Sequence, residues 1–227
     1  MFTPVYLFVI LAFGLSLWAQ FKVKGNFRKW SEVPASSGQT GAQTARRILD
    51  QNGLYDVPVE PVPGTLTDHY DPTSRVVRLS EPVYYGSSIS SVSVAAHEVG
   101  HAIQHKQSYG ALTFRHKMVP VVNFTSGISP LLLMGGIFLR QTPLIGLGII
   151  FFSAAVLFQV VTLPVEFNAS SRAKKQMITE GLIRNNEERG VNKVLGAAAL
   201  TYVAAALISV LELFNFIMIF LQGREED

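Results

Sequence analysis

The chain has 227 residues, of which 48% are hydrophobic and 15% are charged, so it lacks the charged fraction of about 25% that is usual for a water-soluble domain. Cysteine is absent, which excludes disulfides and thiolate metal ligands and leaves His, Asp and Glu to bind any metal. The formal net charge of +3 does not indicate a nucleic-acid partner, because Lys and Arg flank apolar segments instead of forming one basic stripe.

The chain begins with an apolar run, Val5 to Ala19, which Phe2 and Phe21 extend to about the length of a membrane span. A signal peptide carries its positive charge before the apolar stretch. Here four basic residues follow the run instead: Lys22, Lys24, Arg28 and Lys29. We therefore predict that residues 1–20 form an uncleaved transmembrane anchor.

Residues 21–118 form the one long polar segment, and we predict an α+β region there. Gln43 to Gln51 is typical of a helix, whereas Arg75 to Leu79 has the β-branched residues of a strand. A further helix is predicted to begin near Ser87 to Ser91, where a serine can cap its N-terminus, and to end at about Lys106.

Two longer apolar runs follow, and only residues 140–142 separate them. They predict a transmembrane hairpin over residues 119–165. Polar residues return over 166–193, and a last apolar run predicts a transmembrane helix over 194–222, followed by a short tail at 223–227. The sequence thus predicts four spans.

The basic residues near the predicted spans indicate the sidedness of the chain. The two polar segments hold most of them, namely Lys22, Lys24, Arg28, Lys29, Arg115, Lys117, Arg172, Lys174, Lys175 and Lys193. The opposite side has only Arg140 and Arg224. The positive-inside rule therefore predicts a multi-pass protein of the cell membrane, with both polar segments in the cytoplasm and both Met1 and Asp227 outside.

The helix predicted to end near Lys106 contains His97-Glu98-Val99-Gly100-His101, an H-E-x-x-H pentapeptide. On a helix its two histidines lie one turn apart on the same face, where both imidazoles can bind one Zn²⁺ ion. Glu98 is placed to take a proton from a water molecule whose pKa the metal lowers to about 7. Two histidines in a buried core are the alternative, but the membrane-adjacent helix favours catalysis.

A catalytic zinc ion has three protein ligands and one open position. The remaining candidates are His69, His105, His116 and the acids. His105 continues the four-residue series, but each such step advances the helix by about 6 Å, which carries His105 out of reach. Glu166 is favoured, because it is predicted to lie in the first turn of a second juxtamembrane helix, on the side to which the hairpin returns the chain.

Three stretches of the sequence carry a family resemblance. They are Asp68 to Pro72, Ala95 to Gln104 and Leu163 to Ser170. Together they resemble the YugP-type neutral zinc metallopeptidases of bacterial membranes, and the resemblance covers nearly the whole chain. More distantly, the sequence is similar to the HtpX and CAAX-prenyl proteases.

Together with the predicted spans and their orientation, the resemblance implies a mostly α membrane protein in which four transmembrane helices carry a cytoplasmic, zincin-like (gluzincin) α+β catalytic region. It also implies His97, His101 and Glu166 as metal ligands and Glu98 as the catalytic base. In the more distant group an Asp four residues after the third ligand supports the site. This chain has Ser170 at that position, so the sequence does not decide which residue supports the metal ligands.

From these features we predict an endopeptidase that cleaves membrane or membrane-proximal proteins, with the lipid bilayer as its other partner; a homo-oligomer or a membrane protein complex stays open. The alternative is a membrane scaffold or chaperone-like protein with a structural or degenerate metal site, but a structural site needs no base such as Glu98. A transporter would need several polar groups at mid-membrane, where only Glu212 lies, and we predict a packing role for that residue.

Two further predictions concern substrate contacts. Arg75 to Ser80 is either an edge strand that pairs with an extended substrate or a buried structural strand. Four side chains are candidates to stabilise an oxyanion, although each is more often a turn or surface residue: His69, Tyr70, Tyr84 and Arg172.

Overall fold

The computed structural model describes residues 4–226. In chain order the helices are α1 (Pro4–Ser31), α2 (Gly41–Gln51), α3 (Glu81–Tyr84), α4 (Ile89–Lys106), α5 (Gly110–Phe138), α6 (Thr142–Thr179) and α7 (Glu188–Glu226). The strands are β1 (Val59–Val62), β2 (His69–Asp71) and β3 (Val76–Ser80). The protein is thus mostly helical with one small sheet. The predicted positions of Met1 and Asp227 lie outside the described residues.

The chain divides into two compact units. The polar unit comprises residues 19–109 and 165–200, and the apolar unit comprises the described parts of 1–18, 110–164 and 201–227. Helices α1, α6 and α7 each contribute one part to either unit.

The apolar unit contains the predicted hairpin, whose two helices α5 and α6 are joined by a tight turn at Arg140 with φ +53°. Among the described residues, three helices are long and apolar enough to cross a membrane: Gly110–Phe138, Thr142–Thr179 and Glu188–Arg224. The hairpin and the last predicted helix correspond to these three. Helix α1 is not among them, so an anchor over residues 1–20, part of which lies outside the described chain, stays a prediction.

The polar unit is built around a three-stranded sheet with the order β1-β3-β2. Strand β3 pairs in parallel with β1 and antiparallel with β2. Helices α2 and α4 pack together beside it, and the shared core contains fully buried apolar side chains: Ile48, Leu49, Val77, Leu79, Val92, Val99 and Met177. Helix α4 begins as predicted, because the hydroxyl of Ser88 accepts a hydrogen bond from the Ser91 amide at 3.1 Å.

Two predicted features differ in the structure. The strand at Arg75 to Ser80 is β3, which is central and largely buried, so the edge-strand alternative is wrong for it. Helix α6 runs without a break through Pro164 to Thr179, so Glu166 does not start a separate helix. Proline costs a helix one backbone hydrogen bond, and the buried packing of Ala169, Ala173 and Met177 after it offsets that loss.

Candidate active site

Helix α4 presents the two histidines of the pentapeptide on one face. The ring centroids of His97 and His101 lie 4.8 Å apart, and their planes are inclined at 85°. Each imidazole is only 12% exposed. The helix therefore places two nearly buried nitrogen donors side by side.

Glycine in the pentapeptide lets helix α6 approach this face. A Cβ atom at Gly100 would lie 2.7 Å from the backbone oxygen of Ala169, a distance that real Cβ atoms do not tolerate. The close approach brings Glu166, one turn before Ala169, to the two histidines. Its Oε2 atom lies 3.3 Å from His97 Nε2 and 3.5 Å from His101 Nε2.

These three side chains form the one group of potential metal ligands among the described residues, and their ligand atoms lie within 4.8 Å of one another. Atoms about 2.05 Å from a tetrahedral zinc ion are about 3.4 Å apart. The two distances from Glu166 Oε2 match that spacing and are longer than an ordinary charge-assisted hydrogen bond of about 2.8 Å. The donor set therefore fits zinc, with one position left for water.

The other nitrogen of each imidazole is held by a neighbouring side chain. Ser170 Oγ lies 3.2 Å from His97 Nδ1, and Gln104 Oε1 lies 3.0 Å from His101 Nδ1. Such contacts orient the ring and leave Nε2 to face the ligand position. Ser170, at the position where the more distant protease group has an Asp, thus contacts His97 in this structure.

Gln104 is fully buried and fixes the tautomer of His101. Its Nε2 donates to the backbone oxygen of Val165 at 2.8 Å and to Asn168 Oδ1 at 2.9 Å. Because both amide hydrogens are used, Oε1 must accept from His101 Nδ1, which leaves a lone pair on Nε2. Arg172 Nε extends the network by donating to Asn168 Oδ1 at 2.6 Å. Gln104 was not among the predicted site residues, and the signal in the sequence was a polar residue three positions after His101, on the same side of the helix.

Glu98 is buried, with 8% of its surface exposed. Its Oε2 atom accepts a hydrogen bond from the backbone amide of Tyr70 at 3.0 Å. Tyr70 lies in β2, an edge strand of the sheet. The sheet thus holds the carboxylate that lies next to the first histidine in sequence.

The acidic side chains of the site change the pKa of His101. Burial would lower the pKa of His101, but the Glu166 carboxylate, 3.5 Å from its Nε2 atom, and the charge of Glu98 outweigh burial and raise that pKa above its ordinary value. A site that attracts a proton in this way also attracts a cation.

The other predicted residues lie in different surroundings. His105 Nδ1 is 2.8 Å from the Tyr70 hydroxyl, and His69 Nδ1 is 2.8 Å from the Thr67 carbonyl. Tyr84 packs edge-on against Tyr85. None of these is grouped with the three ligand atoms. His116 belongs to α5, in the apolar unit.

Arg172 is engaged away from the ligand atoms. Besides Asn168, it donates to Gln107 Oε1 at 2.5 Å and lies over the ring of Tyr109. Its role as an oxyanion donor stays a prediction, as does that of His69, Tyr70 and Tyr84.

Comparison with known proteins gives two matches over nearly the whole chain. A family described as "Putative neutral zinc metallopeptidase" matches residues 5–221. "Putative membrane protease YugP" from Bacillus subtilis (strain 168) is 74% identical over 218 residues, which cover 96% of this chain and 97% of that protein. No solved structure matches.

Proposed function

Because the chain belongs to the neutral zinc metallopeptidase family, we propose that it is a zinc-dependent endopeptidase that hydrolyses peptide bonds of membrane or membrane-proximal proteins. The observation that carries the proposal is the convergence of two imidazoles and one carboxylate, whose ligand atoms lie within 4.8 Å of one another. The printed name of the relative, "Putative membrane protease YugP", supports a proteolytic activity at a membrane.

In this proposal His97, His101 and Glu166 hold the metal. Zinc, when bound, polarises the scissile carbonyl and lowers the pKa of water. Glu98 accepts the proton of the attacking water and passes it to the leaving amine, and the Tyr70 amide keeps its carboxylate in place for both transfers. A set of three ligands beside a buried acid suits this chemistry better than a structural site, which uses four protein ligands.

We further propose four spans, with residues 1–20 as the anchor and the polar unit in the cytoplasm. Three long apolar helices support membrane insertion, and the basic residues that flank the predicted spans support the orientation. Reporter fusions at Ser36 and at the C-terminus should report opposite sides of the membrane. Fusions that report the same side would contradict the four-span topology.

The function is tested with purified wild-type protein and the variant Glu98→Gln. We expect both to hold one zinc ion per chain by mass spectrometry of metals, and the variant to cleave casein and a membrane-protein substrate about 10²- to 10⁴-fold more slowly. The exposed acid Glu81 provides the matched control, since Glu81→Gln makes the same chemical change away from the site. Wild-type activity in Glu98→Gln, or wild-type protein without zinc, would refute the proposal.

A further inference from the structure

Helices α1 and α7 of the polar unit line a cavity of about 500 Å³ that is rich in positive charge. Four basic side chains, one amide and one indole are among its lining residues: Lys22, Lys29, Arg189, Lys193, Asn26 and Trp30. No Asp or Glu lines this cavity in the described part of the chain. Like charges in one cavity repel one another, so an anion bound there would be stabilised.

The two acids that directly precede Arg189 in sequence have other partners. Glu188, which precedes Arg189, pairs with Lys174 at 2.9 Å. Glu187 accepts from the Ser36 amide at 2.7 Å and from the Ser36 hydroxyl at 2.6 Å. The carboxylates of this turn thus pair with residues that do not line the cavity.

One wall of the cavity is formed by close packing of the two helices. A Cβ atom at Gly190 would lie 2.7 Å from the Trp30 ring, so glycine is needed for the indole to lie against α7. Lys29 Nζ lies 5.8 Å from the centre of the same ring. The indole of Trp30 is therefore held beside the basic side chains. Tryptophan is enriched at the interface between lipid and water.

The cavity also lies where α7 changes from polar to apolar. The long apolar run of this helix begins at Val194, directly after Lys193, and α7 is one of the three helices able to cross a membrane. In α1 the apolar run ends at Ala19, shortly before Lys22. Basic side chains at that level meet the headgroups of a bilayer.

From these observations we propose that the cavity binds the phosphate group of an anionic phospholipid headgroup. Arg189 offers two parallel N–H donors to the phosphate oxygens, and the lysines add compact positive charges. The indole of Trp30 contacts the glycerol part of the lipid. The volume suits one headgroup and not a nucleic acid, whose many phosphates need an extended groove. The site is separate from the residues proposed for catalysis.

The test uses the fluorescence of Trp30 in protein purified in an uncharged detergent. The chain has two tryptophans, so Trp18→Phe leaves Trp30 as the single reporter. We expect saturable changes on addition of short-chain phosphatidylglycerol and none with the zwitterionic phosphatidylcholine. A similar response to phosphatidylcholine would overturn the proposal. An equal response to inorganic phosphate alone would also overturn it, by identifying a free anion as the ligand.

Two double variants separate a built site from general attraction between charges. Arg189→Gln with Lys193→Gln should weaken the phosphatidylglycerol response at least tenfold. Lys175→Gln with Arg184→Gln removes the same charge from residues that do not line the cavity and should leave the response unchanged. Equal weakening in both pairs would overturn the proposal. Should the first pair fail to fold by circular dichroism, Lys29→Gln decides, because unchanged affinity in that variant would contradict the site.

Discussion

The polar and apolar units use the same residue types in opposite ways. In the polar unit, large aliphatic side chains of the sheet and of α4 are fully enclosed, as Leu79 and Val92 are. In the apolar unit, comparable side chains of α5 point outward, and Leu131 is 72%, Met134 71% and Phe138 87% exposed. Water drives the first arrangement through the hydrophobic effect, whereas lipid makes the second one stable. Apolar composition alone therefore does not locate a core.

Replacing one leucine in each unit tests this difference between the units, and the largest effect on stability is expected here. Leu79→Ala opens a cavity in the central strand, and we expect it to lower the free energy of unfolding of the polar unit by about 2–5 kcal/mol. Leu131→Ala removes a side chain that faces away from the protein, and we expect a change within about 0.5 kcal/mol. Thermal unfolding in detergent measures both. Similar losses for the two variants would show that Leu131 lies in a core.

Two neighbouring glycines in α5 differ in how closely helix α6 approaches them. A Cβ atom at Gly136 would lie 2.8 Å from the backbone nitrogen of Ile145 in α6, whereas a Cβ at Gly135 would meet nothing within 4 Å. We expect Gly136→Ala to destabilise the hairpin by about 1–3 kcal/mol. Gly135→Ala, the matched control, should be neutral or slightly stabilising because alanine favours a helix. If neither change alters the thermal stability of the hairpin, the close contact between Gly136 and Ile145 would be contradicted.

The helices and the placement of two histidines on one face of α4 were predictable because their signals are local. Ser88 caps α4 near the predicted start, and the four-residue spacing of His97 and His101 places both rings on one face. The position of Glu166 near them followed from the hairpin, which depends only on two apolar runs and a short turn.

The remaining features depend on contacts that are distant in sequence. Pro164 and the polar residues after it indicate a helix boundary locally, yet packing against α4 at Gly100 keeps α6 continuous. Strand β3 is central because β1 pairs with it, and β1 contains Pro61, which weakens any strand pattern. Gln104 belongs to no recognisable sequence motif, because its three hydrogen-bond partners are distributed over the two helices α4 and α6.

Replacing Gln104 tests whether its hydrogen bonds orient His101 for metal binding. Gln104→Met keeps the volume but loses all three hydrogen bonds, so His101 is free to adopt the wrong tautomer. We expect zinc affinity, measured by competition with a chelator, to fall about 10- to 100-fold. Gln51→Met changes an exposed glutamine of α2 and should leave affinity unaltered. A fall in thermal stability of the metal-free protein with normal zinc affinity would assign Gln104 to packing only.

The smallest effect concerns acid stability at the edge of the sheet. The Arg78 guanidinium, 2.9 Å away, and amides of the following turn hold the pKa of Asp71 well below its ordinary value of 3.8. A lowered pKa in the folded state means that ionised Asp71 adds stability above about pH 4 and that this contribution is lost as the pH falls further. Asp71→Asn should therefore lower stability slightly at pH 7 and flatten its decline in acid. An unchanged pH profile of unfolding would contradict the pairing.

The central claim is that three ligands from two helices hold one zinc ion, and the metal content of two variants tests it most directly. Glu166→Ala removes the carboxylate that approaches both imidazoles, and His105→Ala removes the nearby histidine that contacts Tyr70 instead. After dialysis against a weak chelator, we predict that Glu166→Ala loses nearly all zinc while His105→Ala retains close to one ion per chain. Zinc retained by Glu166→Ala and lost by His105→Ala would contradict the account.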